Sequence, residues 1–290
     1  MTPTNHFPTI RRLAACALLV LGSVAGAASA TEPCDDFGEC KVLIEINATD
    51  GDIGFHFLVD GDDLIKARLE GPDGDKVFED QAKGPMIEQK LTETFAESAE
   101  PLCWEDPEAE EGEEIVTLEE FLDRWTAGTY LFSGLGAEGE HSEGETELTY
   151  QLPAAPADVD FDVSTGMITW DAGDDLGNCA SFAELTALVA AGVLPEHPED
   201  VEVDSWEVVL EPDVEDGDPI GSHVFSIRVS GDPAEFDPTV GVEVPAAYLA
   251  SLPDNTPVKV EVGAIGGEDN ATFTEEDGFC VNEGEEGCEE

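Results

Sequence analysis

Basic residues are scarce in this chain. Eleven lysines and arginines stand against 68 aspartates and glutamates, and the formal net charge is -57 at pH 7. After Lys90 the basic residues are Arg124, Arg228 and Lys259. Neutralising phosphate takes lysine and arginine, so the deficit argues against nucleic acid as a partner. The same sign argues against anionic membrane surfaces. Long apolar runs are scarce as well. Beyond the first thirty residues, nothing approaches the roughly 18 consecutive apolar residues of a membrane helix, so no transmembrane segment is expected. Histidine is sparse, with five in all. There is no Cys-x-x-Cys, His-Glu-x-x-His, serine nucleophile elbow or glycine-rich phosphate loop, the local patterns that metal centres, hydrolases and nucleotide enzymes carry. The expectation is a protein that is not an enzyme and needs no cofactor.

What is present begins with an export signal. Arg11 and Arg12 precede an apolar run from Leu13 to Ala28, and Ala28-Ser29-Ala30 fits a small-residue cleavage site. Residues 1–30 therefore read as a secretion signal, with the mature chain starting at Thr31. Leu13-Ala14-Ala15-Cys16 has the outline of a lipoprotein box but lacks the apolar run that should precede it, and Arg11-Arg12 alone does not make a twin-arginine signal. The expected location is secreted and extracellular, with periplasm and cell surface as the other destinations. The signal removes two basic residues and no acid, so the mature charge is more negative still. Saline surroundings would tolerate it, because the Debye length falls from about 10 Å at 0.1 M to about 3 Å at 1 M salt. Bound divalent cations are the alternative.

Six cysteines remain in the mature chain: Cys34, Cys40, Cys103, Cys179, Cys280 and Cys288. An even number in an exported chain implies disulfides, with fifteen possible complete pairings. Three fall in each half, so either one bridge crosses between the halves or a pair stays free.

In the first half, residues 31–153, Val42, Ile44 and Ile46 alternate, as do Phe55, Phe57 and Val59. Asp60-Gly61-Asp62-Asp63 reads as a turn before a third strand to Leu69, and Gly71-Pro72-Asp73-Gly74 as another. Short strands between Asp-Gly turns predict an antiparallel sandwich. Leu91 to Phe95 fits either a short helix or a strand. Thr117-Leu118-Glu119-Glu120 is a capping box opening a helix with Phe121, Leu122 and Trp125 on one face. Thr129 to Ser133 is a strand, Gly134 to Gly144 a hairpin loop holding His141, and Glu145 to Leu152 the closing strand.

In the second half, residues 154–279, Val159, Phe161 and Val163 alternate with aspartates, Ser164-Thr165-Gly166 turns the chain, and Ile168 and Trp170 share the next strand's face. This opening resembles the A and B strands of a fibronectin type III domain. The resemblance implies an immunoglobulin-like beta sandwich with Trp170 in its core. Later strands continue it: Val201 to Leu210, His223 to Val229, Val240 to Val244, Val258 to Val262 and Ala271 to Glu275. Two departures stand out. A capping box at Ser181 opens a helix from Phe182 to Val189 where the family passes directly to its next strand, and valines stand where the family often has tyrosine. Residues 280–290 form an acidic tail. The fold class expected is mainly β: two tandem antiparallel immunoglobulin-like or fibronectin type III-like sandwiches with short helical insertions.

Candidate chemistry is thin. Asp60, Asp62 and Asp63 with Asp73 and Asp75 are hard oxygen donors in two acidic turns. They suit calcium if the turns converge at one end of a sandwich, although Asp-Gly is also an ordinary hairpin turn. His56 alternates with core aromatics and reads as a solvent-face residue; His141, His197 and His223 read as surface positions. Asn47-Ala-Thr and Asn270-Ala-Thr match the glycosylation triplet. Trp125, Trp170 and Trp206 are in phase with core residues, leaving Trp104 as the tryptophan to test for exposure. The leading expectation is a non-catalytic binding or structural protein with an extracellular protein or glycan partner. A calcium-dependent module and a secreted hydrolase are the alternatives.

Overall fold

Alternation builds the first strand. In β1 (Glu39–Asn47) every second side chain is buried, with Cys40, Val42, Ile44 and Ile46 inward, the two-residue period of a half-buried strand. The computed structural model describes residues 34–105, 114–215, 217–284 and 288. The expected signal at 1–30 lies outside them, as do residues 106–113, most of them acidic. The chain continues as β2 (Asp52–Glu70), β3 (Lys76–Gln81), α1 (Pro85–Gln89), β4 (Leu91–Glu97), α2 (Leu118–Arg124), β5 (Gly128–Gly136) and β6 (His141–Leu148). Then follow β7 (Ala157–Asp162), β8 (Met167–Asp171), α3 (Phe182–Ala191), β9 (Val203–Pro212), β10 (Phe225–Ser230), β11 (Val242–Glu243), α4 (Ala246–Leu249), β12 (Thr256–Gly266) and β13 (Ala271–Val281).

The architecture is mainly β, with two packed sheets and short helices inserted between strands, as expected of tandem sandwiches. The larger sheet runs β10-β9-β12-β13-β1-β2-β5-β6, with β3 and β4 pairing β2; the smaller is β11-β8-β7. Buried apolar side chains gather in two cores. Ile44, Phe55, Phe132 and Leu148 lie in the first, and Ile168, Trp170, Val208 and Val260 in the second. Trp170 is 1% exposed, with the rings of Trp206 and Phe236 5.7 and 5.6 Å away. It occupies the core position that the resemblance implies.

The segment Asp60-Gly61-Asp62-Asp63 is not a turn. β2 passes through it as one strand of 19 residues and bends there. Pairing with β4 slips between Asp60 and Leu64, and pairing with β5 between Leu64 and Lys66. Asp63 takes a left-handed φ of 61°. Extra residues in a ladder bend the strand and re-aim it. Here the first part of β2 pairs β1 and β4, and the last part pairs β3 and β5. At Gly61 a Cβ would lie 2.7 Å from Phe37 Cδ1 and 2.9 Å from Leu64 Cδ1, so the bend closes on the core only without a side chain. Smaller differences follow elsewhere. Thr92 to Phe95 is strand, β5 runs to Gly136 and shortens the expected hairpin loop, β11 keeps only two residues, and β13 runs past Glu275 to Val281.

Both capping boxes form. Glu120 N–H donates to Thr117 Oγ1, and Thr117 N–H to Glu120 Oε2, each at 3.3 Å. Ser181 N–H and Oγ–H donate to Glu184 Oε2 at 2.9 and 2.6 Å. Helix α2 buries Leu118, Phe121 and Leu122, and α3 buries Leu185, all in the first core. The insertion after β8 thus covers the core built mainly by the preceding half. The disulfide Cys103–Cys179 fastens it there, while Cys34–Cys40 and Cys280–Cys288 close short loops.

The two cores share one sheet because β1 pairs β13 in parallel at Glu45/Ala271, Ile46/Thr272 and Asn47/Phe273. Pro153 to Pro156, which connects the halves, is buried. The Pro153 and Pro156 carbonyls accept the Thr272 and Thr274 hydroxyls, both at 2.7 Å. Asn270, wholly buried, accepts Ile44 N–H at 2.8 Å and donates to the Thr149 and Gln151 carbonyls at 3.0 and 3.1 Å. It joins β1, the connection and the β12–β13 turn through one side chain.

Candidate functional site

The aspartates singled out for calcium are not brought together. Asp60, Asp62 and Asp63 sit at the bend inside β2, and Asp73 and Asp75 lie beyond its end. Seven strand residues, Leu64 to Glu70, at roughly 3.3 Å each stand between Asp63 and the second group. Asp63 is instead ion-paired with Lys90 at 2.8 Å. The convergence expected of two turns fails because the first of them is strand.

The histidines divide differently from the expectation. His141 opens β6 and His223 precedes β10, both exposed. His197 is buried against Phe182, ring centroids 4.3 Å apart. Its Nε2 contacts the Phe182 carbonyl at 3.3 Å, and its Nδ1 accepts from Glu199 N–H at the head of the short turn Pro198–Asp200. Trp104 is half-buried against the first core, and its Nε1–H donates to the Asp50 carbonyl at 3.0 Å. It is a packing residue like the other tryptophans.

His56 departs furthest from the sequence reading. It does lie on the outer face of β2, opposite in direction to Phe55 and Phe57. It is nevertheless only 7% exposed, because β4 runs alongside, pairing His56 with Glu97, and the chain after β4 brings Glu100 onto it. His56 Nε2 is 3.2 Å from Glu100 Oε1, and Nδ1 is 3.8 Å from Glu45 Oε2. The Phe95 ring stands edge-on at 6.0 Å. Gly54 is the ladder partner of Glu45. A Cβ on it would meet His56 Nε2 at 2.8 Å and Glu100 Oε1 at 2.9 Å, so the missing side chain makes room for the pair. One ligand atom each from Glu45, His56 and Glu100 lie within 4.8 Å of one another. The alternation of β1 and β2 could have placed Glu45 and His56 on one face; nothing in the sequence places Glu100 beside them.

Acidic groups continue from this point across the sheet. Burial raises the Glu45 carboxyl first, and Glu100, Glu97 and Glu207 add to it against the opposing pull of His56. Glu261, directly across from Glu275 in the ladder, is pushed up to about 7 by burial and then by Glu275, Glu45 and Glu211, against Lys259. Burial, then Glu100 and Asp50, pushes Asp52 up to about 6. Lys259 reaches Glu275 at 2.6 Å and Glu211 at 3.4 Å. A separate cleft of about 520 Å³ beside the second core is lined by Trp206, Phe236 and the exposed acids Glu199, Glu202, Asp204 and Asp232, among others. No helix among the described residues is long and apolar enough to cross a membrane.

No family model matches the chain, and no curated protein matches it. Among solved structures it is similar to the tetra-tandem repeat in the extending region of a large adhesion protein. The identity is 13% and the TM-score 0.24, over 84% of this chain and 49% of that one. The likeness is distant and partial, and this chain spans about half the length of that structure.

Proposed function

We propose that this chain is an exported, non-catalytic structural or binding protein of the cell exterior, acting as one stiff piece on an extracellular protein or glycan partner. The observation that carries this reading is the junction between the cores. A flexible tether would leave its backbone in water; here Pro153 to Pro156 is buried and its carbonyls are bonded to β13. β1 and β13 share a ladder, and a disulfide crosses between the halves. Such a connection fixes the halves against each other, which suits transmitting load or presenting a surface. The acid excess fits saline surroundings, where screening shortens the reach of unpaired carboxylates.

Scanning calorimetry of the mature chain from Thr31 tests it. The expected result is one transition whose calorimetric and van't Hoff enthalpies agree, with Tm rising with sodium chloride and calcium doing no more than its ionic strength requires. Two resolved transitions would refute the stiff unit. A calcium effect that sodium chloride does not reproduce would replace it with the calcium-dependent alternative. Export is tested on the secreted product by its N-terminus, expected at Thr31, and by alkylation, which should find no free thiol.

A further inference from the structure

We infer that Glu45 and His56, with Glu100 behind the ring, form a binding site for a divalent cation of the zinc class. The gap between His56 Nδ1 and Glu45 Oε2, 3.8 Å, is too long for a hydrogen bond. It is the spacing of two ligand atoms each about 2.0–2.2 Å from one ion at an open angle. On the far side of the ring, Nε2 lies 3.2 Å from Glu100 Oε1. A carboxylate that accepts the distal N–H fixes the tautomer and raises the basicity of the ligating nitrogen, which is how metal-binding imidazoles are usually held. Both ligands stand on paired strands: Glu45 is opposite Gly54, and His56 opposite Leu43, in the β1–β2 ladder. The imidazole is nine-tenths buried, so its position is set before any ion arrives, and Gly54 supplies the space for the ring and Glu100.

The donor set chooses the ion. An imidazole nitrogen beside a carboxylate suits zinc, cobalt or nickel, whereas calcium and magnesium take oxygen alone. Glu97 and Glu207 add negative potential around Glu45. The carboxylates of Glu45 and Glu100 remain 36% and 41% exposed, so water can complete the coordination. This is a different place and a different chemistry from the aspartates of the β2 bend.

The test is calorimetric titration of EDTA-stripped mature protein with zinc chloride in about 0.5 M sodium chloride, where diffuse counterion uptake by the acidic surface is screened. One equivalent should bind and survive excess magnesium. The nitrogen-15 resonance of His56 Nδ1 should shift on loading. His56→Gln and Glu45→Gln should each abolish the equivalent, and Glu100→Gln should weaken it about 10–100-fold. Near-UV circular dichroism checks that each variant is folded, and Glu100→Gln, on a half-exposed residue, keeps the test alive if His56→Gln unfolds. The absence of a saturable equivalent would overturn the inference. So would uptake unchanged in the variants, which would mean that His56 is only an ion-pair partner of the two glutamates.

Discussion

Asn270 spends its whole side chain on the junction, and that decides two questions at the scale of a residue. Its triplet with Ala271 and Thr272 reads in sequence as a glycosylation acceptor. In the fold its carbonyl holds Ile44 N–H and its amide holds the Thr149 and Gln151 carbonyls. The amide nitrogen a glycan would need is therefore buried and bonded. Asn270→Leu keeps the approximate volume but leaves a buried donor and acceptors unpaired, at about 1–3 kcal/mol for each group that water cannot reach. The expected loss is about 3 kcal/mol or more, read as a lower urea midpoint, and peptide mapping of protein from a glycosylating host should find Asn270 unmodified. The partners of Asn270 lie 119 to 226 positions away in sequence, and no local pattern could supply them. His56 shows the same limit. Its face of the strand was legible, but the burial that gives it chemical interest comes from β4 and Glu100.

At the scale of elements, what could be read was what is local. The capping boxes at Thr117 and Ser181 each close within four residues, and both helices start where those residues require. The alternating strands β1, β7, β8 and β9 also stand near their expected places, because burial of one face enforces the period. β2 failed because Asp60-Gly61-Asp62-Asp63 has turn chemistry, and only the pairing of β4 and β5 across the slipped register makes it a bend instead. Gly61 is required by the approach of Phe37 and Leu64, not by a turn, so Gly61→Val should force those rings and methyls apart and cost about 1–3 kcal/mol as overpacking does. Urea unfolding measures it, and Phe37→Ala in the same background should recover part of the loss. A neutral Gly61→Val would mean the bend is loosely packed. The role of α3 was equally beyond local reading, since its place on the first core goes with a disulfide whose cysteines, Cys103 and Cys179, are 76 positions apart.

For the whole molecule, the sequence announced the charge but not its distribution. With acids along the entire chain, no pair could be singled out; folding brings Glu207 within electrostatic reach of Glu45, and Glu45, Glu211 and Glu275 within reach of Glu261. The consequence is an unusual dependence on pH. Glu261 titrates at about 7 and Asp52 at about 6, burial leading in both, whereas unfolded carboxylates release their protons near 4.3 and 3.9. Between those values the folded protein holds protons that the unfolded chain has lost. Stability from these groups is therefore whole below about pH 4 and is lost as pH rises through 6 and 7. Asp162 and Glu184, held low by hydrogen bonds from Ser164 and Ser181, act in the opposite sense and lose their contribution as pH falls through their depressed values. Maximum stability should consequently lie on the acid side of neutrality, around pH 5. Glu261 alone, mostly buried, accounts for a difference on the order of 3 kcal/mol between its ends. Urea unfolding in EDTA at low salt should give a higher midpoint at pH 5 than at pH 8. Glu261→Gln, which carries no charge at either pH, should raise the pH 8 value and flatten the dependence, and about 1 M sodium chloride should narrow the gap in the parent protein by screening Glu275, Glu45 and Glu211. A parent protein more stable at pH 8 would mean that the favourable pairing of exposed acids outweighs the crowded face. A steep dependence that survives in Glu261→Gln would move its origin to Asp52 and Glu45, on the first half's side of the shared ladder.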